Sequence, residues 1–401
     1  MKDDRPAILG GEPVFPEKID IVRPTLPRLS AVSDRFDEVL ANGKITNHQR
    51  YVRAFEEALA GRFGADTAVF ANGTLAIALL VRALGRGGEV VIPSFTFAAT
   101  AHAVAWCGVD VRFADIDPET WTLDPASAAR ACTARTIAIM PVHVFGLPCD
   151  VDGLSAVARE AGVPLIFDAA HGFGAAYRGR PVGSLGDAEI FSFHATKLFA
   201  VGEGGAIASR REDWMSRVRA ARNFGLDAEG DCADIGINAK LSELFAIIGL
   251  ASLETFDARL AGRRSAGLAL RERVGKLPGI GLQRLPEDRE TNHQNFAVLI
   301  DPDAFGLSRD ELHVAMDAEN VMTRKYFYPP LHRMRCYAPA AAGAPLPGTD
   351  RVGARVLCFP IYSDMTDTEV GAVARALERI HADRDAVRAR ITKGGVKGEK
   401  R

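Results

Sequence analysis

Lysine is scarce in this 401-residue chain, since only ten of its 49 basic residues are lysines and the other 39 are arginines. A strong charge of either sign is also missing, because 51 acidic residues leave a formal net charge of −2. No overall field would draw such a protein to nucleic acid or to a membrane surface. We therefore expect a small or locally charged ligand.

The chain also has no cysteine framework and no long apolar run, and we expect no secretory leader. Its six cysteines are scattered without a Cys-x-x-Cys pair, which is unlike small secreted domains and fits a reducing cytoplasm, and we expect no metal site. The first ten residues contain Asp3, Asp4 and Arg5 and no apolar stretch typical of a secretory signal. The longest apolar candidate, Phe97 to Val109, is shorter than a membrane span of about 18 residues and contains His102.

What the chain has is the composition of a globular protein, with 47% hydrophobic and 25% charged residues. From about Val69 to Ser209, short β-rich runs alternate with helical patterns, which predicts an α/β fold with a mainly parallel, seven-stranded sheet between helices. The seven predicted strands are Val69–Ala71, Glu89–Ile92, Val111–Phe113, Thr136–Val142, Leu165–Asp168, Glu189–Phe193 and Ala206–Ser209. Ligands of such sheets bind beyond the carboxyl ends of the strands.

The helical patterns and the length of the chain predict two domains. Helices are predicted at Leu75–Leu84 and Val151–Ala161, and one long helical pattern from Leu241 to Val274 is expected to bridge the domains. We expect an N-terminal arm (1–30), a large domain (31–255), a smaller C-terminal α+β domain (256–390) and a flexible tail (391–401).

Lys197 stands out among the few lysines because it follows a predicted buried strand, in Phe191-Ser192-Phe193-His194-Ala195-Thr196-Lys197. Burial lowers the pKa of a lysine and makes its amine a nucleophile for Schiff-base chemistry. A lysine that extends from the strand end to solvent is the alternative. The Gly202-Glu203-Gly204-Gly205 turn that follows favours the first interpretation, because it lets the backbone approach a ligand closely.

Asp168 ends the apolar strand Leu165-Ile166-Phe167, so its carboxylate is predicted to lie in the ligand crevice, where it would suit a protonated ring nitrogen of a cofactor. A cap for the turn that follows is an equal alternative for Asp168. The strand-to-helix segment Asn72-Gly73-Thr74 predicts an anion site, to which Ser192 would add a hydroxyl, although plain turn chemistry also explains it. Phe97 follows a strand and would stack on a cofactor ring, but core packing is the better explanation for a single Phe.

Together these segments resemble the sugar aminotransferases of the DegT/DnrJ/EryC1/StrS family, within the fold type I enzymes that use pyridoxal phosphate (PLP). The similarity extends through most of the chain, and its motifs are Lys44-Ile45-Thr46-Asn47, Phe55-Glu56, Asn72-Gly73-Thr74, Ile92–Thr100, Pro141–Gly146, Phe167–His171, Phe191–Lys197, Gly202–Gly205 and Pro330-Leu331-His332. Three motifs depart from the family pattern. Thr-Asn-Gly-Pro is Thr46-Asn47-His48-Gln49 here, Ser-Gly-Thr is Asn72-Gly73-Thr74, and Asn-x-Arg is Asn238-Ala239-Lys240.

The resemblance implies a role for each site residue. Lys197 would be the Schiff-base lysine and proton shuttle, Asp168 would contact the pyridine nitrogen, and His171 would lie beside the ring hydroxyl. Gly73, Thr74 and Ser192 would hold the phosphate and Phe97 would cover the ring face. Asn238 would reach the phosphate of the other subunit, which implies a homodimer with shared active sites. Arg324, Lys325, Tyr326 and His332 are the expected substrate contacts.

The implied reaction moves an amino group from glutamate or glutamine to a nucleotide-linked keto-deoxysugar. Lys197 argues against the family's dehydratases, in which a histidine replaces the lysine. The segment Thr323–Pro330 resembles nucleotide-sugar members, and its positive charge would meet a diphosphate. The alternatives are amination of a cyclitol such as scyllo-inosose, synthesis of aminobenzoate-type products, and a catalytically silent regulatory relative.

Overall fold

Seven strands form the central sheet of the protein, whose computed structural model describes residues 4–227, 229–338 and 345–394. In spatial order they are β3 (Asp110–Ala114), β2 (Glu89–Pro93), β4 (Thr136–Ile139), β5 (Ile166–Asp168), β8 (Ala188–Ser192), β9 (Gly205–Ser209) and β1 (Asp66–Phe70). Two isolated parallel bridges, Ile139 to Leu165 and Val142 to Asp168, join β4 to β5. All seven predicted strands are therefore confirmed.

The sheet is mainly parallel, as predicted, and β9 is its one antiparallel member. β2 pairs in parallel with β3 and β4, and β5 pairs in parallel with β8. β9 pairs antiparallel with both β8 and β1. In that pairing Gly205 lies opposite both Ser192 and Phe70, where it brings the ends of these two strands together.

Helices cover both faces of this sheet. They are α1 (Ser33–Asn42), α2 (Arg50–Phe63), α3 (Gly73–Leu84), α4 (Ala98–Trp106), α5 (Pro125–Ala131), α6 (Val151–Ala161), α7 (Glu212–Arg222) and α8 (Glu243–Glu254). Successive strand residues face two separate apolar cores: Ile166 and Ile190 belong to one core, and Phe167 and Phe191 belong to the other. This alternation explains why the strands are apolar on both faces.

The predicted helices at 75–84 and 151–161 are confirmed, but the pattern from Leu241 to Val274 forms two helices rather than one. α8 ends at Glu254, the φ of −115° and ψ of 2° of Thr255 are not helical, and α9 (Phe256–Val274) begins at the next residue. The break buries Phe256 completely, with its ring 4.7 Å from that of Phe173 and 5.7 Å from that of Phe199. Apolar residues lie on both sides of this break, so hydrophobic periodicity alone does not indicate it.

The C-terminal part combines a three-stranded antiparallel sheet with helices, and the remaining short strands form a separate small sheet. The first sheet has the order β10 (Ile280–Leu282), β12 (Phe296–Ile300) and β13 (Val356–Phe359), and the second has the order β11 (Arg289–Glu290), β6 (Ala176–Tyr177) and β7 (Arg180–Pro181). The C-terminal helices are α10 (Pro302–Phe305), α11 (Arg309–Ala318), α12 (Pro347–Arg355), α13 (Asp367–Ala382) and α14 (Arg384–Gly394).

The N-terminal segment packs on the C-terminal core. Phe15 is buried within that core, and the buried carboxylate of Glu319 accepts the backbone N–H groups of Ala7 and Val14 and pairs with Arg379.

The predicted tail begins inside α14, where Ile391 is buried, and residues 395–401 lie outside the described residues. None of the described helices is long and apolar enough to cross a membrane.

Candidate active site

A cavity of about 520 Å³ opens at the carboxyl ends of β5 and β8 and collects most of the predicted site residues. Eight of the twelve line it, namely Gly73, Thr74, Phe97, Asp168, His171, Ser192, Lys197 and Tyr326. A larger cavity of about 1150 Å³ lies beside β3 at the edge of the sheet and is lined by none of the twelve. The chemistry predicted from the sequence therefore converges on the smaller cavity.

Lys197 lies in the connection between β8 and β9, where its backbone N–H donates to the carbonyl of His194 at 2.8 Å. Its side chain is partly buried and lines the cavity. Burial lowers the pKa of Lys197 to about 8, and the nearby Asp168 carboxylate opposes this shift. A neutral, nucleophilic amine is thus available close to neutral pH, whereas a lysine directed to open solvent would stay charged.

Asp168 is the last residue of β5, and only 4% of it is exposed. Its Oδ2 accepts the Thr100 hydroxyl at 2.7 Å, and its Oδ1 accepts the Ala170 N–H at 3.0 Å. The carboxylate thus accepts a hydrogen bond from the following turn and also lines the cavity, so the turn cap is present and the contact with a cofactor nitrogen stays a prediction. Within the described residues no cation pairs with it inside 4.0 Å, so a cationic ring nitrogen would find a buried carboxylate held only by neutral donors.

His171 follows Asp168 and is also buried at the cavity wall. Its Nδ1 accepts the backbone N–H of Phe145 at 3.2 Å. Burial, together with the charge of Lys197, holds the pKa of His171 well below its usual value, so the ring is neutral. The proton of the neutral ring then resides on Nε2, which makes His171 a hydrogen-bond donor.

The predicted anion site is the N-terminus of α3. Asn72 caps the helix by accepting the N–H of Leu75 at 2.9 Å, as the family's usual serine at this position would also do. Gly73 and Thr74 lie in the first turn, where backbone N–H groups have no acceptor within the helix. A Cβ atom at Gly73 would be 3.1 Å from the Cβ of Ser192, so the absence of a side chain brings the Ser192 hydroxyl beside the helix terminus.

Phe97 precedes α4 at the mouth of the cavity, and 61% of it is exposed. The preference for core packing, which the sequence alone suggested, is therefore wrong. An aromatic face at a cavity of this size is available for a planar ligand.

The structure does not bring the other four predicted residues to the cavity. Asn238 is exposed and forms a backbone bridge with Asn223, and Arg324 is exposed beside β13. Lys325 pairs with Asp310 at 2.7 Å. His332 is buried between the hydroxyl of Ser94, at 2.7 Å, and the carboxylate of Asp350, at 3.0 Å.

Several residues of the site were missed by the sequence analysis. Thr96 bonds to Thr100 at 3.0 Å and so extends the network behind Asp168. Thr96 lies two residues before α4 and Thr100 lies in its first turn, so helical periodicity in the sequence did not indicate that the two hydroxyls meet. Gln294 and Asn295 also line the cavity, although they come from the C-terminal part of the chain.

Fold and cavity together define a fold type I enzyme of the kind that binds PLP through a lysine. The chain belongs to the DegT/DnrJ/EryC1/StrS aminotransferase family, whose family model matches residues 30–378. The crystal structure of DesI in the presence of its TDP-sugar product superposes with a TM-score of 0.91 at 40% identity, covering 97% of this chain and 99% of that one.

Two curated relatives show the range of named activities. A dTDP-4-amino-4,6-dideoxy-D-glucose transaminase of Shigella dysenteriae is 32% identical over 370 residues, which are 92% of this chain and 99% of that protein. A putative L-glutamine:3-amino-2,3-dideoxy-scyllo-inosose aminotransferase of Streptomyces kanamyceticus is 33% identical over 373 residues, 88% of each chain. This protein is therefore a PLP-dependent aminotransferase.

The residues of the cavity fit this cofactor. A partly buried amine, a buried carboxylate without a paired cation, and a helix N-terminus beside a serine hydroxyl are complementary to an aldehyde, a pyridine nitrogen and a phosphate.

Proposed function

We propose that this enzyme transfers the amino group of glutamate or glutamine to a keto-deoxysugar linked to a nucleotide, and that it does so in the cytoplasm. The observation that carries the proposal is the Lys197 amine in one cavity with the Asp168 carboxylate. The substrate class is supported by the 40% identity to DesI, whose crystal structure was determined with a TDP-sugar product.

Three residues of the cavity then act on the reacting part of the cofactor. When bound, PLP supplies an electron-withdrawing ring that makes the proton on the amino-bearing carbon acidic. Lys197 holds the cofactor covalently and, once released, moves that proton as a general base. Asp168 keeps the ring nitrogen protonated, and Thr100 holds the Asp168 carboxylate in place.

The remaining cofactor contacts are neutral. Gly73, Thr74 and Ser192 bind the phosphate through N–H and hydroxyl groups, the Nε2–H of His171 donates to the ring hydroxyl, and Phe97 covers one face of the ring. A neutral His171 donates this hydrogen bond without adding a positive charge that would compete with Lys197 for Asp168.

On the substrate side, we propose that Tyr326 and Arg324 face the sugar and its diphosphate. Tyr326 already lines the cavity. The side chains of Lys325 and His332 already have partners in the protein, since Lys325 is paired with Asp310 and His332 is buried against Ser94. We therefore propose that these two residues position the substrate-binding segment.

We further propose a homodimer with shared active sites. Asn238 lies outside the cavity of its own chain, in a segment that exposes the apolar side chains of Phe224, Leu226, Ile235 and Ile237. Exposed apolar groups that cluster in one segment are typical of an interface. For the domain organisation of each chain, we propose an N-terminal arm (1–30), a large domain (31–255) and a small domain (256–390).

The test combines spectroscopy with a substrate panel. The purified protein should absorb at the boundary of the near-ultraviolet and visible regions through its lysine-bound cofactor. This absorption should decrease when glutamate or glutamine is added. Borohydride reduction followed by peptide mapping should label Lys197, and a Lys197→Met variant should give no label, whereas Lys276→Met should behave as the parent. A label elsewhere, or no bleaching with any amino donor, would remove the assignment and favour a silent relative.

The second candidate is a cyclitol aminotransferase, which the 33% identity to the putative scyllo-inosose enzyme favours. The panel should therefore contain nucleotide-linked ketosugars and scyllo-inosose, each with both amino donors. Turnover of scyllo-inosose alone would replace the nucleotide sugar as substrate and leave the aminotransferase chemistry unchanged.

A further inference from the structure

A run of five polar residues between β11 and β12 is buried, and its last two members, Gln294 and Asn295, line the cavity. None of Thr291, Asn292, His293, Gln294 and Asn295 is more than 9% exposed. A buried polar side chain is costly unless it is hydrogen-bonded, so the partners of this run show what it holds.

Gln294 bonds to the backbone on both sides of Lys197. Its Oε1 accepts the N–H of Leu198 at 2.8 Å, and its Nε2 donates to the carbonyl of Thr196 at 2.9 Å. These groups belong to the two peptide units that flank the α-carbon of Lys197. Because peptide units are planar, fixing both of them fixes φ and ψ of Lys197, which are its only soft backbone angles.

Gln294 is itself held rigidly. The guanidinium of Arg263, on α9, donates to the carbonyls of His293 at 2.9 Å and Gln294 at 2.6 Å. Asn292 accepts the N–H of Gln294 at 2.8 Å. A continuous set of hydrogen bonds thus connects α9, through this segment, to the loop that contains Lys197.

Asn292 holds the other side of the cavity in the same way. Its Nδ2 donates to the carbonyls of His171 at 2.7 Å and Phe173 at 2.9 Å. A Cβ atom at Gly146 would be 1.7 Å from its Oδ1, so this amide fits only because residue 146 is a glycine. Two neighbouring side-chain amides thus hold the turn after Asp168 and the loop of Lys197 at a fixed separation.

We propose that Gln294 is a positioning residue, whose carboxamide fixes the backbone of Lys197 and thereby the direction in which the amine enters the cavity. This inference depends on the proposed role of Lys197 as the cofactor lysine. Only a carboxamide satisfies both peptide groups at once, because a carboxylate would place a second acceptor against the Thr196 carbonyl and an apolar side chain would satisfy neither. A lysine held in one direction forms and re-forms its bond to the cofactor with less loss of conformational entropy.

The test compares Gln294→Met and Gln294→Glu with the matched control Gln283→Met. Gln283 is also buried, at 7% exposed, donates to the carbonyls of Thr120 at 2.7 Å and Val144 at 3.5 Å, and does not line the cavity of Lys197. The measurements are hydrogen exchange of the Leu198 amide in the cofactor-free protein and the dissociation constant of PLP. In Gln294→Met we expect about tenfold faster exchange at Leu198 and about tenfold weaker PLP binding, the effect of one lost buried hydrogen bond or more.

Gln294→Glu keeps the acceptor for Leu198 and loses the donor to Thr196, so it should protect the Leu198 amide but still weaken PLP binding. It also gives a result if Gln294→Met does not fold. Exchange and PLP binding within twofold of the parent in the Gln294 variants would overturn the proposal, as would an equal loss of PLP binding in Gln283→Met. Failure of borohydride to label Lys197 in the parent would instead overturn the proposed function, while exchange at Leu198 would still report the hydrogen bond.

Discussion

At the scale of single residues, the cavity holds a lysine and an aspartate whose surroundings differ. The Asp168 carboxylate accepts two hydrogen bonds from Thr100 and Ala170, which stabilise its charged form. Lys197 has only the Asp168 carboxylate to offset its burial, and its pKa falls to about 8. The site therefore places a hydrogen-bonded carboxylate beside an amine that loses its proton more readily than a solvent-exposed lysine, a combination suited to a nucleophile beside a cationic ring.

The first prediction is that Lys197 costs stability in the cofactor-free protein. Its native pKa of about 8 lies below the ordinary lysine value of 10.5, so the unfolded chain binds more protons between these values and stability rises with pH in that window. At pH 7 we expect Lys197→Met to raise the free energy of unfolding by about 1–2 kcal/mol, reduced by the loss of a counter-charge for Asp168. Above about pH 10.5 the gain should vanish.

Urea unfolding at several pH values measures this effect, with the exposed Lys276→Met as the control. A Lys197→Met variant no more stable than the parent at pH 7 would show that burial of the charged amine does not destabilise the folded protein.

The second prediction concerns the hydroxyl behind the carboxylate. Thr100→Val keeps the shape of the side chain but removes the donor to Asp168 Oδ2. Because this bond is made to a charged group, we expect kcat/KM to fall about tenfold. Thr122→Val is the matched control, since Thr122 is also buried and bonds to a hydroxyl, that of Thr120, outside the cavity. Equal kcat/KM in the parent and Thr100→Val would show that Asp168 needs no support from this side.

At the scale of elements, a carboxylate from one helix caps the start of another. Glu243, the first residue of α8, is fully buried and accepts the N–H groups of Gln49, Tyr51 and Val52 at 2.7–3.1 Å. The first N–H groups of α2 have no acceptor within the helix, and negative charge is favourable at that end. Glu243 thus fixes α2, and the 46–49 loop before it, against α8.

The third prediction is that Glu243→Gln destabilises the protein, because an NH₂ group would replace an oxygen that accepts backbone donors. We expect a loss of about 2 kcal/mol in the free energy of unfolding, measured by chemical denaturation. Glu254→Gln on the same helix removes only an exposed pair with Arg35 and should cost less than about 0.5 kcal/mol. Similar losses in the two variants would contradict the capping role.

Most of the strands, but not every helix boundary or long-range contact, could be predicted from the sequence. All seven strands of the large sheet were identified, because buried strands are continuous apolar runs between turn residues. The break at Thr255 was not, since it depends on Phe256 entering an aromatic cluster built from distant residues. Gln294 was missed for a similar reason, because its partners at 196 and 198 are nearly a hundred residues away and nothing in its own neighbours indicates them.

At the scale of the whole molecule, the segment from Asn223 to Asn238 exposes several large apolar side chains. Asn223 and Asn238 pair through a backbone bridge, and Ile235 is 72% exposed. A monomer would hold this side chain in water at a cost of about 2 kcal/mol. In the proposed homodimer, burial of Ile235 against a second copy would remove that cost.

The fourth prediction is that Ile235→Glu weakens the proposed homodimer. A charge in the interface should raise the dimer dissociation constant by about tenfold or more and lower the activity at dilute protein concentrations. Sedimentation velocity over a concentration series measures this change. Leu268→Glu, at an exposed position of α9, should sediment as the parent does. An Ile235→Glu variant that remains dimeric would place the interface elsewhere.

The antiparallel strand β9 has a consequence for the synthesis of the protein. It separates β1 from β8, and a Cβ atom at its Gly205 would be 2.6 Å from the backbone nitrogen of Gly73, so the anion site is packed directly on this strand. While the ribosome has not yet released residues 205–209, β1 and β8 each present an unpaired edge, which is a template for association with other nascent chains. A chain truncated before Gly205 would therefore lack the strand that joins β1 to β8, however complete its first two hundred residues are.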